Sequence, residues 1–316
     1  MTKSLSRNAV FGTVIGLTLA SCTRRSGPAG APASFATPDD AVDALVKTVE
    51  RNDLGALYRL LGAGSEAIVN SGDTVADRAA RQAFVERYHE HHQLVAGSPD
   101  DLALWVGHDD WPLPIPLERS DNRWHWDAAA AANEILARRI GSNELQTIDV
   151  MHGLVAAEED YAAQGHDGRP AGIYAQRLRS EPGKHNGLYW EVAAGEPPSP
   201  GGPFLANATA EGYAPGQPPG APYHGYIYRL LLGQGPHADG GAREYVRRGQ
   251  LIGGFAAIAR PAEYGKSGIM TFIVNQDGTV WQKDLGPDTG ELAGAIRQFD
   301  PDTTWAPIPP EQETGP

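Results

Sequence analysis

Two adjacent carboxylates ahead of an indole, Asp109-Asp110-Trp111, form the kind of pair that moves protons or holds a cation. The structural alternative is a capped turn, with Trp111 buried and Pro112, Pro114 and Pro116 stiffening an edge strand. His89, His91 and His92 around Glu90 place two imidazoles three residues apart on a helical face, a donor set that suits zinc. Histidines at a helix C-terminus also interact favourably with the helix dipole, so the run reads as a solvated helix end and no metal is expected. Arg138 and Arg139, followed by Glu144, offer a charged seam that locks neighbouring elements or receives an anionic partner through bidentate contacts. Their plainer role is a surface ion pair worth little. Lys283 and Asp284 are either a binding edge or a strand edge guarded by charge. Trp105, Trp124, Trp126, Trp190 and Trp281 have faces that stack on sugars, although aromatics alternating along strands commonly belong to a core. The chain has no Gly-x-Ser-x-Gly elbow, phosphate loop or dinucleotide fingerprint, and its single cysteine leaves it without an internal disulfide. No catalytic residue and no cofactor is assigned from the sequence.

Local signals set the scaffold around these groups. Thr37-Pro38-Asp39-Asp40 supplies a capping hydroxyl, a proline at the first helical position and acids in the first turn of a helix whose apolar face is Ala41, Val42, Leu45, Val46 and Val49. A short helix over Leu54–Leu61, a turn-rich stretch from Gly62 to Gly72 and a helix over Ala76–Gln93 follow. Leu102–Val106, Ile115–Arg119 and Trp124–Trp126 read as strands. Asp127 caps a helix over Ala128–Ile140, and Gly141-Ser142-Asn143-Glu144 is expected to interrupt it and start another that runs to about Gln164. The second helix buries the stripe Leu145, Ile148, Met151, Leu154 or Val155, Tyr161 and Ala162, with Glu158, Glu159 and Asp160 outside. Residues 195–225 are a Gly/Pro-rich insertion. Tyr226–Leu232, Leu251–Arg260, Ile269–Asn275 and Thr279–Lys283 are expected strands, with a hairpin turn at Asn275-Gln276-Asp277-Gly278. The fold class is therefore α+β: N-terminal helices plus a curved antiparallel sheet over residues 38–141, then a long helix plus an antiparallel meander over 142–306, with a disordered tail at 307–316. The first arrangement resembles the cone-shaped domain of the nuclear-transport-factor-like superfamily, in which a sheet wraps a helix and leaves a pocket.

Composition fits that scheme. With 41% apolar residues, 21% charged, 38 Gly and 25 Pro, the 316-residue chain reads as globular and turn-rich, not fibrous. The net charge is −13, and because Lys3, Arg7, Arg24 and Arg25 all precede residue 26 the remainder carries −17. Such a body repels nucleic acid and anionic lipid, so no nucleic-acid partner is expected.

Lys3 and Arg7 followed by the apolar run Ala9–Ala20 have the form of a secretory signal. The run ends in Leu19-Ala20-Ser21-Cys22, which resembles the lipobox of bacterial lipoproteins, where the cysteine is alkylated by a diacylglyceryl group. The reading is a signal peptide over 1–21, lipidation of Cys22, a flexible tether over 22–37, and an anchor on the periplasmic side of the outer membrane, since Thr23 is not the Asp of an inner-membrane retention signal.

Four stretches carry a further resemblance: Ser71-Gly72-Asp73 with Ala76-Asp77-Arg78; Asp109 through Pro112 and Pro116-Leu117; Arg138 through Gly141 with Asn143-Glu144-Leu145; and Gly253-Gly254-Phe255 through Gly268–Gly278 to Lys283-Asp284-Leu285-Gly286. Together they look like the bacterial domain of unknown function 2950 family, over nearly everything after the tether. Within it the helix and strands of the second half are similar to the globular part of type IV pilins and pseudopilins, although no apolar helix N-terminus or prepilin cleavage signal is present. The expectation is a non-catalytic cell-envelope lipoprotein that binds or assembles another envelope component, protein or glycan. The alternatives are a periplasmic hydrolase or carbohydrate-active enzyme using Asp109, Asp110 and nearby tryptophans, and a carrier of a small apolar ligand.

Overall fold

The computed structural model describes residues 30–193, 195–211, 213 and 220–309; the expected signal peptide and Cys22 lie outside them. Helices α1 (Pro38–Glu50), α2 (Leu54–Leu61), α3 (Glu66–Val69) and α4 (Thr74–Glu90) precede strands β1 (His92–Ser98), β2 (Asp101–Val106), β3 (Trp111–Pro112), β4 (Leu117–Ser120) and β5 (Arg123–Trp126). The strands form an antiparallel sheet in the order β1-β2-β4-β5, with β3 on β2. Thr37 caps α1 as its sequence requires, accepting from the Asp40 N–H, and the five apolar residues of its expected face are all buried. That face packs under the sheet, where fully buried Trp126 donates its indole N–H to the Ala41 carbonyl at 3.1 Å. The last part of the expected tether is fixed: Phe35 pairs with Trp124 through two backbone bonds of 2.7 and 2.9 Å, and Arg123 holds Ser34.

Helix α5 (Ala128–Ala162) is a single 35-residue element, which corrects the expected interruption at Gly141. A glycine in a helix interior costs only about 1 kcal/mol, and here the residues just beyond it are fastened to the second half of the chain. Asn143 donates to the Ser267 carbonyl at 2.8 Å, and Glu144 accepts from the Ile269 and Met270 amides at 2.8 and 2.9 Å. At about 1.5 Å per residue the helix spans roughly 50 Å. Ala128 and Ala131 belong to the N-terminal core, Ile148, Met151, Leu154 and Tyr161 to a second core beyond it. Glu158, expected outside, is fully buried.

Within the Gly/Pro-rich insertion lies a short helix, α6 (Gly202–Ala210). Then follow β6 (Tyr226–Leu231), the short pairs β7 (Gly233–Gln234) with β8 (Arg243–Glu244) and β9 (Val246–Arg247) with β10 (Gln250–Leu251), and β11 (Ala256–Pro261), β12 (Met270–Asn275), β13 (Trp281–Asp284), α7 (Thr289–Ala295) and β14 (Ala306–Pro307). The second large sheet, β14-β13-β12-β11-β6, is antiparallel throughout. The strand expected over Leu251–Arg260 is split at Gly253-Gly254, because Gly254 has φ +133° and a Cβ there would stand 2.8 Å from the Tyr245 ring. The chain is therefore α+β, helices against antiparallel sheets. Of the tail expected over 307–316, Pro307 is paired in β14 and Ile308 is buried; residues 310–316 lie outside the described residues.

Candidate functional site

The N-terminal core is not closed where it meets α5. A cavity of about 590 Å³ opens there, within the range of small-molecule sites. Its floor is apolar, formed by Leu45, Val49, Leu57, Leu61, Phe84 and Ile115 from α1, α2, α4 and the loop before β4. One face of α5 forms a wall through Ile135, Arg138, Arg139, Ser142, Asn143 and Gln146, the spacing of three and four that keeps residues on one side of a helix. Polarity changes along that wall, from Ile135 inside to Gln146 near the second half of the chain. The far rim is Glu211, Tyr213 and His224, contributed by the Gly/Pro-rich insertion.

A buried carboxylate ties that rim down. Asp73, 3% exposed, caps α4 with one oxygen, accepting from Val75 and Ala76 N–H at 3.1 and 3.0 Å. Its other oxygen accepts the Tyr213 hydroxyl at 2.8 Å and the Gly225 amide at 3.1 Å. Gly225 sits at φ +73°, and a Cβ would fall 2.5 Å from the Asn143 amide nitrogen, so the chain can approach α5 this closely only at glycine. His224 beside it also has positive φ, +49°, an uncommon setting for a non-glycine residue. Its Nε2 lies 3.3 Å from a Glu211 carboxylate oxygen, and its amide donates to the Tyr213 hydroxyl at 3.2 Å. Burial holds the His224 imidazole below its ordinary range against the pull of Glu211 and Asp73. It is therefore neutral near pH 7. Burial, then the bond to Asp73, drives the Tyr213 hydroxyl well up. Burial beside Glu211 takes Tyr223 to about 12. The phenols stay protonated and act as donors, so this cluster positions backbone and offers hydrogen bonds at neutral pH.

A family model described as protein of unknown function (DUF2950) matches residues 32–308, a span that contains both cores, the cavity and all four sequence stretches that resemble the family. The chain belongs to the DUF2950 family. No curated protein and no solved structure matches it.

Of the residues singled out in this DUF2950 protein from sequence, three meet at the cavity. Trp111 and Arg138 line its edge, with the Arg138 guanidinium 5.5 Å from the Trp111 ring centre and 2.7 Å from Glu134. Arg139 donates to the Ala67 and Ile68 carbonyls at 2.7 and 2.5 Å, at the end of α3. Asp109 and Asp110 are not part of the lining. Asp109 pairs with Arg87 at 3.3 Å on the surface, and Asp110, at φ +52° in the turn before β3, accepts from Gln93 at 3.1 Å. Glu144 is spent on the backbone of Ile269 and Met270. Lys283 and Asp284 sit on the second sheet, Lys283 bonded to Thr304 at 2.6 Å and over Trp305, Asp284 accepting from the Gly286 amide at 2.8 Å. The three histidines diverge: His89 pairs with Glu50 at 2.9 Å, His91 lies 4.0 Å from Asp110, and His92, already in β1, stacks on Tyr88. Sequence reading missed Asp73, Glu211, Tyr213 and His224. The available signals were an Asp at a helix start and a tyrosine and histidine embedded in a Gly/Pro-rich run.

Proposed function

We infer that this protein is a cell-envelope lipoprotein that holds a small amphipathic molecule in the cavity between its N-terminal core and α5. The single observation that carries the reading is the cavity: about 590 Å³, floored by aliphatic and aromatic side chains and rimmed by a few polar groups. The lipidation of Cys22, the export of the chain and its station on the periplasmic face of the outer membrane rest on Lys3, Arg7, the Ala9–Ala20 run and the Leu-Ala-Ser-Cys ending. The likeness of the first half to nuclear-transport-factor-like domains supports a pocket in this position; the pilin-like reading of the second half rests on its long helix and meander. The surface positions of Asp109 and Asp110 favour binding over a hydrolase built on those carboxylates.

Metabolic labelling with a fatty-acid analogue tests the anchor: label on the wild type that disappears in Cys22→Ala supports it, and label that persists contradicts it. Titration of the full chain with a fluorescent apolar probe tests the cavity. Saturable one-to-one binding that is lost in a cavity-filling Ile135→Trp variant is the expected result, and unchanged binding in that variant overturns it.

A further inference from the structure

Two guanidinium groups in the cavity have no acid of their own. Arg139 is bonded to the Ala67 and Ile68 carbonyls, and Arg81, from α4, to the Asn52 side-chain oxygen at 3.0 Å and the Val69 carbonyl at 3.3 Å. Both line the cavity, and neither forms an ion pair among the described residues. Both reach α3, Arg139 through the Ala67 and Ile68 carbonyls and Arg81 through the Val69 carbonyl. The acid that acts on both is Asp77, which also lines the cavity and already accepts the Ser71 amide at 2.9 Å. Among the lining residues Arg81, Arg138 and Arg139 stand against Asp77 and Glu211, a positive excess of one beside an apolar floor. A guanidinium removed from water toward carbonyl oxygens alone lacks the charge compensation that partly buried arginines ordinarily have, and an oxyanion supplies it.

We propose that Arg81 and Arg139 form an anion subsite of the cavity, which takes the carboxylate or phosphate head of a ligand whose apolar chain lies on the Leu45, Leu57, Leu61 and Phe84 floor. This rests on the reading of the cavity as a ligand site and adds the class of ligand. Both groups being arginine matters, because a planar fork that has given some of its N–H groups to carbonyls still has others to present to an oxyanion. Burial lowers the pKa of both guanidinium groups from the ordinary arginine range; arginine is not deprotonated in proteins, so the subsite carries its charge.

The test compares a long-chain carboxylic acid bearing a dansyl reporter at its far end with its methyl ester, on the full chain held in amphipol so that no detergent monomer competes. The acid is expected to bind at least roughly tenfold more tightly than the ester, the scale of one charge-assisted hydrogen bond. That preference is expected to vanish in Arg81→Gln/Arg139→Gln and to be reduced but not lost in Arg139→Lys, which keeps the charge without the fork. Ester affinity in each variant reports whether the cavity is still formed. Displacement by an alkyl phosphate, a free fatty acid or both identifies which head the site prefers, and either supports the subsite. Equal binding of acid and ester by the wild type, or a preference unchanged in the double variant, overturns the anion subsite while leaving the cavity reading intact. Binding of neither probe by the wild type overturns both.

Discussion

The two ends of α5 meet their surroundings in opposite ways. From Ile148 to Tyr161 the helix packs on the second core through Met151, Leu154 and Ala157, and polar groups facing that core are bonded: Thr147 receives the Tyr228 hydroxyl at 3.2 Å, and one oxygen of Glu158 accepts the Ala175 amide at 2.8 Å. From Ile135 to Asn143 the same helix faces empty volume, and Arg138 and Arg139 lie along it. A continuous helix can thus serve one half as a core element and the other as the wall of a site. Only the second half needs close packing along its whole contact with the helix. Asn143 and Glu144 mark the transition, because their bonds to Ser267, Ile269 and Met270 are the first that fasten the helix to the second sheet.

Substitutions along α5 break this contrast in a graded way. Met151→Ala, at a fully buried position, is expected to cost about 2–5 kcal/mol in urea unfolding. Ile135→Ala, beside a space that already exists, should cost well under half as much, and equal losses would show that the two ends are packed alike. Next in size is Asp73→Ala, which removes the α4 cap and leaves the Tyr213 hydroxyl and Gly225 amide without their acceptor, an expected loss of about 2–3 kcal/mol. Tyr213→Phe, which removes one of those bonds, should lose about 1 kcal/mol. If Asp73→Ala costs no more than Tyr213→Phe, the carboxylate is not the tie between α4 and the rim.

Glu158 sharpens the comparison through pH. Burial raises its carboxyl from 4.5 to about 8 against the pull of the Ala175 amide, and its Oε1 has no hydrogen-bond partner among the described residues. The folded chain therefore binds a proton that the unfolded chain has released. The stability tied to this group is fully present below the unfolded value near 4.5 and is lost as pH rises through about 8, at a slope approaching 1.4 kcal/mol per pH unit. Urea midpoints measured from about pH 5 to about pH 8 should fall in the wild type and lose that component in Glu158→Gln. Parallel profiles for the two proteins would contradict the burial of an uncompensated acid.

Local rules were sufficient where the chain interacts with itself nearby. The Thr37-Pro38-Asp40 start of α1, its five buried residues and the strands around Leu102–Val106 and Trp124–Trp126 follow from capping, period and alternation. Those rules failed where distant residues decide. Gly141-Ser142-Asn143-Glu144 has the composition of a break, yet bonds to residues more than 120 positions away hold it helical. The helix expected to run to Gln93 ends at Glu90, because pairing with β2 takes the chain from His92 onward. The site divides in the same manner. Arg138, Arg139 and Trp111 stand out by type, but Asp73 reveals its role only through Tyr213 and Gly225, 140 and 152 residues later. No periodicity announces a contact of that range.

The most direct test of the central claim is native mass spectrometry of the full chain taken from its own membranes under mild conditions. The account expects a one-to-one adduct with the mass of an acidic amphiphile on the wild type, and its absence from Ile135→Trp. A wild type that carries nothing, or an adduct that persists unchanged when the cavity is filled, would contradict it.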